Sequence, residues 1–168
     1  MKLKLSTLFI ALLLITACDA DKQATSSETN NQADVDYIKT YSVKGDYEDV
    51  WEDIQQAITD RGFVINNVSH IGDMLERTGK DIGASKKIYI KAESLDFCSA
   101  VVSRRTMEAD PHNINFCPYL ISVYVIAGEP DTVYVSFRPP KLIGSDESKA
   151  ALKAVGDLLD EIVKEVVE

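Results

Sequence analysis

Hydrophobic and polar positions fall into a readable pattern from Tyr37 onward. Tyr37–Val43 alternates and is rich in β-formers, which predicts a strand. Gly45-Asp46 then opens a helix, with Asp46 as N-cap, acidic residues in the first turn and Gly62 as the stop. Val50, Trp51, Ile54, Ala57 and Ile58 share one face of that helix. Phe63–Ile71 reads as a second strand with an irregularity at Asn66-Asn67, Asp73–Gly79 as a short helical turn, and Lys80–Lys86 as a loop. Ile88–Glu93 is a third strand. Leu95–Met107 is expected to be helical and to end at Asp110-Pro111, because the residue before proline disfavours helical dihedrals. Tyr119–Ile126 and Val133–Phe137 form a hairpin around Gly128-Glu129-Pro130-Asp131. Ser145 caps a last helix to about Val167, whose buried stripe is Leu152, Val155, Leu159, Ile162 and Val166.

Strands that pair mainly antiparallel, with two amphipathic helices on one side, define a two-layer α+β domain over residues 37–168. Ahead of it, Lys2 and Lys4 precede an uncharged run of 13 residues, Leu5–Ala17, too short for a spanning helix but suited to a secretory signal. Ile15-Thr16-Ala17-Cys18 resembles a bacterial lipobox, which implies removal of residues 1–17 and lipidation of Cys18. Asp19 resembles the aspartate that retains lipoproteins in the inner membrane. The competing reading is a buried N-terminal helix ending on an ordinary cysteine. Residues 18–36 contain Val35 as their single large aliphatic residue and no aromatic, so they are expected to form a polar tether with a reach of roughly 25 Å.

The element order, Gly62-Phe63 after the first helix, and a helix leading to Cys117-Pro118-Tyr119 before a central strand are similar to the domain-of-unknown-function 302 family. The resemblance covers Tyr37 to Glu168. It implies a TBP-like β-α-β4-α fold and no established activity. Cys117 stands where commoner members carry leucine.

Charge narrows the partners. The 168 residues carry a net charge of −9, which excludes a nucleic-acid footprint. Loss of Lys2 and Lys4 with the signal takes that charge from −9 to −11, so the lipid, rather than passive adhesion, is expected to hold the protein to an anionic membrane. Three cysteines and two histidines exclude a multi-zinc module or a dense disulfide scaffold.

With Cys18 lipidated, Cys98 and Cys117 remain as a pair in an oxidising compartment. The simpler reading is a structural disulfide clipping the segment between them onto the sheet, worth about 3 kcal/mol for a loop of this size. A sharper reading adds Met107 and His112, since Cys98, Met107, His112 and Cys117 supply soft ligands for copper or haem iron. No Cys-x-x-Cys-His attachment motif occurs, and a switching dithiol would lack its usual Cys-x-x-Cys spacing. The expected cofactor content is none, with copper or haem as the alternative.

Tyrosines are the second feature. Tyr89, Lys91 and Glu93 alternate with apolar residues, as do Ser122 with Tyr124 and Tyr134 with Ser136, so a period of two is expected to gather them on the sheet face away from the helices. Tyr89, Tyr124 and Tyr134 are therefore the candidate surface for a protein partner, a small ligand or a homodimer. The competing reading is that tyrosine simply suits strands. Arg104-Arg105 and Arg138 with Lys141 offer an anion site if they converge beside Cys117. Phosphate-loop, nucleophile-elbow and zinc-protease motifs are absent from the sequence. The expected protein is a lipid-anchored module on the periplasmic side of the cell envelope, non-catalytic and built for binding, with a redox or metal accessory role as the alternative.

Overall fold

A computed structural model describes residues 37–168. The expected signal, Cys18, Asp19 and the tether lie outside the described residues.

The strands are β1 (Lys39–Lys44), β2 (Val64–Ser69), β3 (Tyr89–Cys98), β4 (Tyr119–Ile126) and β5 (Thr132–Phe137). They form one antiparallel sheet in the order β1-β5-β4-β3-β2. The helices are α1 (Tyr47–Thr59), α2 (Ile71–Asp81), α3 (Ala100–Ala109) and α4 (Asp146–Val167), with a 3-10 turn at Pro111–Phe116. Stripped of α2 and α3, this is the β-α-β4-α order that the resemblance to the domain-of-unknown-function 302 family implies.

Local chemistry explains most boundaries. The Asp46 carboxylate accepts from the Glu48 N–H and starts α1. Gly62, at φ +75°, ends that helical segment in a left-handed conformation that side chains disfavour. Val50, Ile54 and Ile58 of α1 and Val155, Leu159 and Ile162 of α4 bury one face of the sheet, meeting Leu95, Phe97, Ile121, Val123, Val135 and Phe137. Among the described residues, no helix is long and apolar enough to cross a membrane.

Four expectations are corrected. Leu95–Cys98 belongs to β3 and is not helical, because Phe97 pairs with Tyr119 and Leu95 with Ile121; sheet pairing overrides a period that also suits a helix. The helix therefore starts only after Ser99, whose hydroxyl accepts from the Val102 N–H. The turn expected at Asp73–Gly79 is the longer helix α2, and β2 ends at Ser69. In α4, Val163 is fully buried and Val166 only partly. The irregularity expected at Asn66-Asn67 is present as a register shift between Ile65 and Asn67.

α2 has a specific place. β2 pairs with β3 only from Ser94 to Cys98, which leaves Tyr89–Glu93 without a strand on that side. α2 packs against β3, and a Cβ on Gly72 would stand 3.0 Å from the Ala92 backbone nitrogen. A helix laid on an open strand edge guards it against pairing with another chain. At the opposite edge, Asp160 of α4 accepts from Tyr41 Oη at 2.6 Å and Lys39 Nζ at 2.9 Å, tying β1 to the core. Burial raises the Asp160 carboxyl, but the hydrogen bonds from Tyr41, Lys39 and Lys164 outweigh it and bring the pKa down to about 2.

Candidate functional site

The face of the sheet turned away from α1 and α4 has a different chemistry. Register places Thr40 beside Ser136, Ser136 beside Ser122, Ser122 beside Ser94, and Ser94 beside Ser69. A row of hydroxyl residues thus crosses all five strands, and the Ser94 and Ser122 oxygens are 2.6 Å apart. One row along, Ser42 lies beside Tyr134 and Tyr134 beside Tyr124. The Tyr124 and Tyr134 rings stack at 5.4 Å, and Tyr89 meets Tyr124 edge-on at 5.7 Å. Tyr134 donates to the Glu129 carboxylate, and that hydrogen bond raises the pKa of its phenol. The structure therefore brings Tyr89, Tyr124 and Tyr134 together as expected.

It does not bring Lys91 and Glu93 with them. Tyr89 pairs with Ile126 but Lys91 already pairs with Val125, a bulge that turns the alternation over at Ile90. Lys91 and Glu93 consequently face the helices. Lys91 Nζ lies 5.7 Å from the centre of the Tyr47 ring, and Tyr47 Oη donates to Glu93 at 2.9 Å. His70 Nδ1 also contacts Glu93. Burial, followed by the Glu93 hydrogen bond, holds the Tyr47 phenol far above its ordinary pKa. Alternation alone does not predict this network, because its assembly depends on the bulge.

Cys98 and Cys117 meet at the end of β3 and the entry to β4, as unbonded thiols with their sulfurs 2.8 Å apart. Burial and the hydrogen bond to Cys117 push the Cys98 thiol up to about 11. That environment disfavours the thiolate and hence nucleophilic or exchange chemistry. Ser103 of α3 lies 2.9 Å from Tyr119 Oη and 3.8 Å from the Cys117 sulfur. Met107 is half-buried on α3, and His112 is exposed in the 3-10 turn, where its backbone N–H donates to Asp110. Among the described residues, no three His, Cys, Asp or Glu side chains stand close enough to share a metal ion, so His112 is not gathered with the two thiols.

The arginines do not converge either. Arg104 pairs with Glu108 at 2.7 Å, Arg105 lines a cleft between α3 and α4, and Arg138 lines a separate one beside Pro118. Asn113 is the residue with no sequence signal. Its buried amide donates to Thr106 O at 3.0 Å and Ser148 Oγ at 2.9 Å, locking the 3-10 turn to α3 and α4.

Comparison with known proteins agrees with this geometry. The family model described as "Domain of unknown function DUF302" matches residues 39–166. The crystal structure of an uncharacterized conserved protein DUF302 from Bacillus stearothermophilus superposes with a TM-score of 0.64 at 14% identity, over 77% of this chain and 98% of that one. At that identity the likeness shows the fold alone. No curated protein matches the sequence.

Proposed function

The chain belongs to the DUF302 family, and from that premise we propose that it is a non-catalytic binding module, held by a lipid on Cys18 at the periplasmic side of the cell envelope. Its working surface is the open sheet face. The observation that carries this reading is the contact of three tyrosine rings, Tyr89, Tyr124 and Tyr134, beside a row of hydroxyls on the side without α1 and α4. Tyrosine combines apolar area with a hydroxyl and loses little side-chain freedom on binding. A sheet face is flat, whereas small-molecule sites are concave, so the fitting occupant is a protein surface, a second copy included.

Cys98 and Cys117 act in this reading as a structural disulfide. Two thiols in contact, in a compartment with disulfide-forming oxidants, would yield two electrons and two protons and form one S–S bond. The raised Cys98 thiol favours this inert role over redox switching. Alkylation of denatured protein without reductant is expected to leave both cysteines unmodified; ready alkylation of both contradicts the disulfide.

The binding role is tested by placing a photoreactive benzophenone amino acid at Tyr124 and, as control, at Asp157 on the exposed side of α4. Irradiation of whole cells is expected to give discrete protein adducts from position 124 and none from 157. No adduct from 124, or the same adducts from both, contradicts the reading.

A further inference from the structure

α2 and the loop after it enclose a cleft of about 400 Å³, within the range of small-molecule sites. Its apolar lining includes Leu75, Ile82 and Ile88, and its cations are Lys80, Lys86 and Lys87. Two features set it apart from the rest of the molecule. α2 has its apolar residues on one side yet buries none of them, and Ile82 and Ile88 remain 81% and 47% exposed. The charge is also reversed. Five of the 15 Lys and Arg residues in 37–168 lie between Arg77 and Lys91, in a chain whose net charge is −9. None of Lys80, Lys86 and Lys87 makes an ion pair among the described residues. Glu76 is the one carboxylate in the lining.

We infer that this cleft binds an anionic single-chain amphiphile, with the alkyl chain against Leu75, Ile82 and Ile88 and a carboxylate or phosphate head among Lys80, Lys86 and Lys87. Apolar surface left open beside unpaired cations is complementary to such an amphiphile: burial drives the tail inward and charge fixes the head. The concavity favours a discrete ligand over a bilayer surface. Tyr89 lines the cleft and touches Tyr124, so occupancy would be felt at the edge of the open sheet face. The inference stands independently of the binding role given to that face.

The test is calorimetric titration of the full chain with dodecanoate and with dodecyl phosphate below their micellar concentrations, with dodecyl maltoside as the uncharged control. Both anions are expected to bind saturably at one site, and the maltoside about tenfold more weakly. Ile82→Glu, and separately Lys86→Glu with Lys87→Glu, should each weaken the anions by about tenfold or more. Because these side chains are exposed, the variants should keep the wild-type melting temperature. Absence of saturable binding by both anions overturns the inference, as does binding that ignores both variants. Co-sedimentation with phosphatidylglycerol vesicles without binding of either monomer also overturns it, in favour of surface docking.

Discussion

Along β4 the side chains alternate between two worlds. Tyr119, Ile121, Val123 and Val125 point at α1 and α4 and are buried, while Leu120, Ser122, Tyr124 and Ile126 point to the opposite side and keep part of their surface in water. β5 repeats the contrast, with Val133 and Val135 buried against a half-exposed Tyr134, whereas in β3 Ala92 and Ser94 on the far side are buried along with Leu95 and Phe97. The covered face is aliphatic and holds the fold by burial. The open face holds hydroxyls and stacked tyrosines, which stabilise a sheet only modestly and offer more to a partner. One strand thus serves both tasks because its period is two.

The contrast breaks most visibly under substitution. Phe97→Ala is expected to destabilise the domain by about 3–5 kcal/mol in denaturant unfolding, because it opens a cavity where the ring is fully buried between Phe63 and Tyr119. Next comes the disulfide reading: Cys98→Ser should lower stability by about 3 kcal/mol under oxidising conditions, and reductant should then lower the wild type but not the variant. On the open face, Tyr124→Ser removes one stacked and one edge-on ring contact and should cost about 1–2 kcal/mol while abolishing the photo-adducts formed at a probe on Tyr134. Ser94→Ala loses only the Ser122 hydrogen bond, about 1 kcal/mol. A loss from Tyr124→Ser equal to that from Phe97→Ala would erase the distinction between the faces.

The smallest effect lies at the edge that joins them. Asp160 is held at about 2, below the ordinary aspartate value of about 3.9. Its contribution is therefore complete above about pH 4 and disappears as pH falls toward 2. Asp160→Asn should unfold more easily than wild type at pH 6, by about 1 kcal/mol or less given solvent screening, and the gap should close by about pH 2. A gap that persists unchanged at that pH contradicts the clamp between β1 and α4.

Much of this was legible in the sequence where one period dominates. The stripe of α4, the Asp46 cap, the β4–β5 hairpin and the tyrosine cluster all follow from local pattern. The reading failed where pairing decides. Leu95–Cys98 fits a helical period as well as a strand, and only Tyr119 and Ile121 opposite settle it. Simple alternation puts Lys91 and Glu93 on the tyrosine face, and the bulge at Ile90, which carries no composition signal, turns them to the other. The hydroxyl row needs the register of five strands, and Ser94 lay between two expected elements. The sequence singles out Cys98 and Cys117 as a pair, and they meet as thiols with sulfurs 2.8 Å apart, whereas the cleft beside α2 lies in a segment whose local pattern suggests only a short turn and a loop.

The central claim is that the open sheet face is occupied at the cell envelope while the covered face is not available to any partner. Hydroxyl-radical labelling followed by mass spectrometry, run on purified protein and on intact cells, tests it most directly. Tyr89, Tyr124 and Tyr134 should label in the purified protein and be protected in cells, with Tyr47 and Tyr119 silent in both because they are buried. Equal labelling of the three open-face tyrosines in the two samples would contradict the account.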